Sequence, residues 1–278
     1  MISLHKTVSI AAGFLLLSSL ALHATTFEQN RRHWRQLVKD RSIQQSLLNS
    51  AGVPFEVKNW SGVDFFLEEY AQLTSEAWMK LGQRMHAFLP MISDSLTKNG
   101  LPAALRFLPV AESRLKPGIS SPAGASGIWQ IMKRTGRNCG LVINGQVDER
   151  LDPQKSTKAA IDLLKKLYAE FGDWTLVLAA YNCGQSKVRR AINQTGCADY
   201  WAIKHLLPSQ TRKYIPAYLA AACATTLYMQ QGRPAISTHP KVFVHKSRSN
   251  LSIDIFSETR AVFCWTDPMA MLRKEKLV

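Results

Sequence analysis

LPAALRFLPVAESRLKPGISSPAGASGIWQIM, residues 101–132, decides how the rest of the chain is read. Leu101-Pro102 opens a helix, because the fixed φ of proline and its missing N–H suit a first turn. Leu105, Leu108, Glu112 and Leu115 follow at spacings of three and four, so they share one side of it. Pro109 lies inside that pattern and predicts a kink or irregularity. Residues 120–127, SSPAGASG, predict a turn-rich loop, and GIWQIMKRTGRN, residues 127–138, predicts a short helix. Glu112 is the one carboxylate on an otherwise apolar helix face. Desolvation there disfavours the charged form and raises the pKa, which is what a general acid near neutral pH requires. On this helix alone, an ordinary solvated glutamate is the better reading.

Helical periodicity continues on both sides of this stretch. A helical pattern begins at Asp64, and Trp78, Leu81, Met85, Phe88, Ile92 and Leu96 form one apolar face of a long helix that Asn99-Gly100 ends. Downstream, residues 139–152 read as a loop. Asp152 is placed as an N-cap with Pro153 at the first helical position. That helix runs through Ala159, Leu163, Leu167 and Tyr168 to Gly172. Asp173 caps another, containing WTLVLAAYN, and a last helix runs from near Ser209 to Met229. Nearer the start, residues 27–48 are charged and loosely amphipathic, and residues 51–62 read as a loop. The predicted fold class over roughly residues 76–230 is all-α. Past Gly232 the pattern fades, with KVFVH and SIDIF as candidates for short strands.

The 278 residues, 46% of them hydrophobic, suffice for one substantial domain with or without appendages. Neither a fixed-period repeat nor a low-complexity stretch appears. Lys6 precedes an apolar run from Val8 to Leu22 that ends in small residues around Ala24. This is the plan of a secretory signal peptide, cut after Ala24. An uncleaved anchor is the alternative, but the run is short for a span of roughly 20 residues. No cysteine follows it, so a lipoprotein anchor is unsupported.

The formal charge is +15, one less once Lys6 leaves. A basic exported chain is drawn to an anionic polymer or surface, and peripheral association with cell wall or membrane fits better than nucleic acid. Cys139, Cys183, Cys197, Cys223 and Cys264 are odd in number and lack the spacing of a zinc site. Packing or disulfides account for them, and neither a metal nor a cofactor is expected.

Near Glu112, Trp129 offers an apolar wall and Gln130 a hydrogen-bonding amide; further on, Tyr181 and Asn182 set a hydroxyl beside an amide. Each is bland alone. Together, AESRLKPGISSPAGASGIWQIM (111–132) and AAYNCGQSKVRRAI (179–192) resemble the catalytic domain of lytic transglycosylases of the soluble-lytic-transglycosylase and goose-lysozyme-like group. The Glu-Ser motif falls on Glu112-Ser113, the Gly-Leu-Trp-Gln motif on Gly127-Ile128-Trp129-Gln130, and the Ala-Tyr-Asn motif on Ala180-Tyr181-Asn182. VDERLDPQKST and FGDWTLVLAAYNCG look most like the membrane-bound murein transglycosylase D branch. A Tyr after a Thr-Arg pair falls on Tyr214, where that branch commonly has Glu before the pair and this chain has Gln210. The branch often carries C-terminal wall-binding repeats, and nothing after residue 233 looks like one.

The resemblance implies a lysozyme-like helical catalytic domain at residues 95–232, after a signal at 1–24 and a helical extension at 25–94, with a tail at 233–278. It also implies peptidoglycan glycan strands as substrate, a Gram-negative host and a periplasmic location. Glycoside hydrolysis normally uses two carboxyl groups, roughly 5 to 9.5 Å apart. Asp148, Glu149, Asp152 and Asp173 are candidates for a second, but Asp152 and Asp173 stand at helix starts and the others sit beside Arg150. The family's reaction needs one. Glu112 would protonate the glycosidic oxygen between N-acetylmuramic acid and N-acetylglucosamine, then deprotonate the C6 hydroxyl that closes a 1,6-anhydro ring. Ser113 and Asn182 are candidates to hold the N-acetyl group, Gln130 and Tyr181 to orient sugar or glutamate, and Tyr214 to contact Glu112. Trp129 is read equally as a stacking or a packing residue. A hydrolytic muramidase, an inactive wall-binding protein and an enzyme serving a secretion apparatus are the competing readings.

Overall fold

The computed structural model describes residues 34–230, Arg35 and Val38 excepted. The leader at residues 1–24, Cys264 and the tail with its two strand candidates lie outside the described residues. Helices α1 (Arg41–Ala51), α2 (Val63–Ala71) and α3 (Ser75–Lys98) come first. A 3₁₀ turn (Ala103–Phe107) then leads into the short α4 (Leu108–Ser113). Strands β1 (Ala125–Ser126) and β2 (Ile131–Met132) pair antiparallel, with Ala125 opposite Met132. After α5 (Lys133–Asn138) and a 3₁₀ turn (Glu149–Leu151) come α6 (Pro153–Phe171), α7 (Trp174–Cys183), α8 (Gln185–Thr195), α9 (Tyr200–Ile203) and α10 (Ser209–Gln230). A third 3₁₀ turn, Lys204–Leu206, separates the last two. The all-α class is what the structure shows.

The helix starts follow the capping chemistry in the sequence. The Asp152 carboxylate accepts from the N–H groups of Gln154 and Lys155, with Pro153 in the first turn of α6. Asp173 likewise accepts from the Leu176 N–H at the start of α7. Thr74 caps α3, and Asn99 closes it. Along α3 the buried face is Trp78, Leu81, Met85, Leu89, Ile92 and Leu96, so Leu89 takes the fully buried place and Phe88 is half-buried.

Two helices form the centre. In α7 every residue from Trp174 to Ala180 is buried, and in α10 the buried run from Tyr214 to Thr226 is broken only at Ala217. A helix apolar all round belongs inside a protein rather than on its surface. Helix α10 packs against α1 and α2, and also against α7 and α4. Its alanines at 220, 221, 222 and 224 have no exposed surface, and small side chains let neighbouring helices approach closely. Trp34 stacks on Trp78, and Trp78 on Tyr228 of α10, with ring centroids 4.7 and 5.1 Å apart. The N-terminal segment, α3 and α10 therefore share one core.

Pro216 lies inside α10 and has no N–H to give the carbonyl of Arg212 one turn back. The Tyr200 hydroxyl donates to that carbonyl instead, at 3.4 Å. A backbone acceptor that would otherwise go short is thereby met from a different helix.

Three local readings are corrected. Residues 101–115 are not one kinked helix: the 3₁₀ turn ends at Phe107, and Pro109 sits in the first turn of α4. Proline blocks continuation of a preceding helix and is tolerated at the start of a new one. Helix α4 then stops at Arg114 and Leu115, both at positive φ (51° and 58°), so Leu115 is buried beyond the helix rather than on its face. Residues 127–132 form a turn and strand, and helix begins only at Lys133. Helices α8 and α9 went unread because α8 buries little beyond Val188 and Ala191, and α9 is only four residues long.

Tyr200→Phe is expected to lower stability by about 1 kcal/mol, the cost of an unmet backbone acceptor, and the melting temperature by roughly 2–4 °C. Thermal unfolding followed by circular dichroism checks this, and an unchanged melting temperature would refute the role given to Tyr200.

Candidate active site

Glu112 lies on the last turn of α4, a helix whose Leu108, Pro109, Val110 and Ser113 are all buried. The residue keeps part of its surface exposed, while its carboxyl is held from across the fold, where the Tyr214 hydroxyl of α10 donates to Oε1 at 2.5 Å. Burial pushes the Glu112 pKa from the ordinary glutamate range up to about 7, while the Tyr214 bond pulls the other way. Burial, followed by the nearby Glu112 charge, raises the Tyr214 phenol well above its usual range, so it remains a donor. Among the described residues, Tyr214 is the one ionisable group that contributes to the Glu112 shift. The carboxyl is thus desolvated, not the solvated glutamate that its segment alone favoured, although Leu105 and Leu115 lie outside its helix.

Facing α4 is the turn between β1 and β2, and its backbone carbonyls are tied one by one. Ser113 Oγ donates to Ile128 O at 2.8 Å, and Tyr181 Oη from α7 donates to Trp129 O at 2.7 Å. Arg150 Nη1 donates to Ile131 O at 3.0 Å and to Gly124 O at 2.6 Å. The guanidinium is itself buried and is paired with Asp148, whose Oδ2 lies 2.6 Å from Nη2. At Gly127, φ is +78°, and a Cβ there would sit 1.8 Å from the backbone oxygen of Arg150. Only glycine allows the turn to lie that close. Gln130 adopts φ +47°, a left-handed conformation that tertiary contacts hold in place.

Trp129 is fully buried, and its indole N–H donates to Thr157 Oγ1 of α6 at 2.9 Å. It offers no face for a sugar to stack on; of its two readings, packing is the one the structure displays. Ser113 is 7% exposed, and its proton is directed to backbone carbonyls, so it fastens the turn to the helix of Glu112. Gln130 Nε2 donates to Gly127 O at 2.8 Å and Ile119 O at 3.3 Å. Asn182 Oδ1 accepts from the Thr211 hydroxyl at 2.9 Å. Gln210 is exposed on the first turn of α10, with no ion pair to any described residue.

The other carboxylates are engaged elsewhere. Asp148 is held below the usual range first of all by its Arg150 bond, and Glu149 by Lys155 and the Val142 N–H. Asp152 and Asp173 cap α6 and α7. Cys139, Cys183, Cys197 and Cys223 are free thiols. Among the described residues, no group of three or more His, Cys, Asp or Glu is placed to hold a metal ion.

A sequence profile for the Transglycosylase SLT domain matches residues 90–204, which include Glu112, the 124–132 turn and Tyr181-Asn182. A protein of Alteromonas sp. (strain M-1), named for tributyltin chloride resistance, is 31% identical over 174 residues, 62% of this chain and 83% of that protein. The chain belongs to the transglycosylase SLT domain family. Within this family, the membrane-bound lytic murein transglycosylase D of Escherichia coli (strain K12) is 38% identical over 142 residues, 49% of this chain and 31% of that protein. The chain thus spans about a third of that relative's length. The crystal structure of the 70 kDa soluble lytic transglycosylase from Escherichia coli superposes with a TM-score of 0.46 at 26% identity, over 74% of this chain and 34% of that one.

The sequence reading missed Arg150, Thr157 and Thr211, the supporting layer of this SLT-domain site. Arg150 was visible only as a neighbour of Asp148 and Glu149, Thr211 only as the first of the Thr-Arg pair before Tyr214, and Thr157 carried no signal of its own. Their partners lie 19 to 29 residues away or more.

The raised Glu112 pKa also sets a pH dependence of stability. An unfolded chain loses this proton near 4.5 and the folded one near 7, so between those values the folded state holds more protons. Stability from this group is greatest below about 4.5, falls as pH rises through 7 and stays low above. Glu112→Gln removes the loss and is expected to be more stable than the parent at pH 8, by on the order of 2 kcal/mol, with the two nearly matched at pH 4. Denaturant unfolding at both pH values checks this; equal stability at pH 8 would count against a strained, buried carboxyl.

Proposed function

We propose that this chain is a lytic transglycosylase of peptidoglycan, cleaving the bond between N-acetylmuramic acid and N-acetylglucosamine to leave 1,6-anhydro ends. The observation that carries the reading is Glu112, a lone carboxyl with a pKa near 7, positioned by Tyr214 and remote in its bonding from every other carboxylate described. A group poised near neutrality can give a proton to the leaving oxygen and take one back in the next step. In the first step Glu112 is protonated and donates to the glycosidic oxygen as that bond breaks. In the second it is a carboxylate and accepts the proton of the C6 hydroxyl, whose oxygen bonds to the anomeric carbon. An intramolecular nucleophile has an effective concentration on the order of 10⁵ M or more, so no second carboxylate is needed to activate water.

The murein-directed names of the relatives support this substrate, and an exported, periplasmic enzyme accords with the leader plan at residues 1–24. The groove would be lined by Gln130, Tyr181 and Asn182, with Ser113 and Tyr214 acting through the turn and the acid. A basic chain is suited to an anionic wall polymer.

Purified peptidoglycan digested with the chain lacking residues 1–24 is expected to release muropeptides one water lighter than hydrolysed ones, read by mass spectrometry. Glu112→Gln is expected to lose at least about 10²-fold in rate. Reducing-end products would mean a muramidase, and no products would mean a binding protein. Because the acid must be protonated at the start, kcat/KM is expected to fall as pH rises above about 7. Tyr214→Phe removes a bond that favours the carboxylate, so that alkaline limb is expected to move to higher pH. A limb that stays put, or moves down, would contradict the assigned pairing.

A further inference from the structure

The buried guanidinium of Arg150 is met by Asp148 and two carbonyls. Arg84 and Arg114 are treated differently. Arg84 sits in the interior of α3 and is half-buried, and its Nε donates to Arg114 O at 2.8 Å. Arg114 is the half-buried residue that ends α4, at φ +51°. Its guanidinium carbon lies 5.8 Å from the centre of the buried Tyr70 ring of α2. Three elements thus bring two cations to one place. Burial, and after it the charge of Arg114, lowers the Arg84 pKa.

No described carboxylate offsets them. Arg41 and Arg189, both more exposed, are paired with Asp64 and Glu170 at 2.6 and 2.5 Å. Among the described residues neither Arg84 nor Arg114 has an ion pair, and beyond the Nε bond neither side chain has a hydrogen-bond partner. Glu69, next to Tyr70, is exposed and pairs with neither. Like charges held near one another with their N–H groups unmet cost free energy, which an anion between them offsets. A planar guanidinium presents parallel N–H groups that match two oxygens of a carboxylate or phosphate. The ring face beside Arg114 attracts the cation and limits how it turns.

We infer that Arg84 and Arg114 form an oxyanion-binding site, which takes a carboxylate or phosphate group between the two guanidiniums. The site uses neither Glu112 nor Tyr214, so it stands whether or not the chain cleaves glycan. Arg114 follows Glu112 by two residues, so the bound anion is held by the residue that closes the helix of the acid. Only the folded chain brings α2, α3 and α4 together, and a ligand that binds the folded state alone raises its stability.

The test follows the melting temperature of the chain against inorganic phosphate and, in parallel, acetate, with pH fixed and ionic strength held constant by sodium chloride. The unaltered chain is expected to gain roughly 3 °C or more at saturating anion. Arg114→Gln keeps the backbone carbonyl that Arg84 holds but is expected to abolish the gain. Arg114→Lys, with the charge but not the fork, is expected to keep only part of it. Lys116→Gln, at an exposed neighbour, is expected to leave it in place. If Arg114→Gln does not fold, Arg84→Lys serves in its stead: an ammonium still reaches Arg114 O but has no parallel N–H groups to give, so most of the gain should go. A larger gain with acetate assigns the site to a carboxylate ligand and a larger one with phosphate to a phosphate ligand, and either supports it. No gain in the unaltered chain, or an equal gain in Arg114→Gln, overturns the inference. An equal loss in Lys116→Gln means general charge screening and overturns it as well.

Discussion

The bond between Tyr214 and Glu112 joins the last helix of the described fold to a six-residue helix more than a hundred residues earlier, and it works only if α10 has one rotation about its axis. Packing fixes that rotation. With α1 and α2 together with α7 and α4 against it, α10 buries nearly its whole circumference between Tyr214 and Thr226. Turning it would bury no new apolar surface and would move the hydroxyls of Thr211, Tyr214 and Tyr218 off their three acceptors, Asn182 Oδ1, Glu112 Oε1 and Ala104 O, at once. Hydrophobic burial here is non-directional, and the hydroxyl stripe converts it into a direction.

The opposite wall is built on another rule. The turn of residues 124–132 contributes almost no regular secondary structure, so its backbone groups have few partners of their own. Ser113, Tyr181 and Arg150 supply them, each from a different element. The buried Arg150 is tolerable because Asp148 and two carbonyls meet it together; a buried charge with its hydrogen bonds incomplete would cost several kcal/mol. Side chains that look like substrate ligands in sequence, Ser113 and Trp129 above all, are consumed in holding this turn against the acid.

Much of this was legible in the amino-acid order. Periodicity and caps gave α6, α7 and α10 with ends within a residue or two, and the C-terminal end of α3, since Asp152, Asp173 and Asn99 act on neighbours in sequence; the pattern read from Asp64 is two helices, α2 and α3, parted at residues 72–74. The apolar pattern around Glu112 left a solvated glutamate as the better reading of that segment alone, and it is burial in the folded chain that raises its pKa. What was illegible came from outside the local window. Pro109 announced an interruption but not that the chain would restart as a new helix, and the left-handed Arg114 and Leu115 are imposed by packing rather than by their own preferences. The turn at 127–132 read as helix because the tethers that hold it extended come from residues 113, 150 and 181. Thr157 was silent, and Thr211 stood only as one half of the Thr-Arg pair before Tyr214, because a hydroxyl on a helix reveals its purpose only through its partner.

Helices α1 and α2 contain none of the residues proposed to meet substrate, yet both pack against α10. Local opening in a protein proceeds by cooperative units, and residues sharing one core open together. A fluctuation that lifts the amino-terminal helices exposes the same helix that presents the phenol to Glu112. The lifetime of the Tyr214–Glu112 pairing is therefore bounded by the slowest-exchanging amides of a region that takes no part in it, and the pairing is only as persistent as the helices that cover α10.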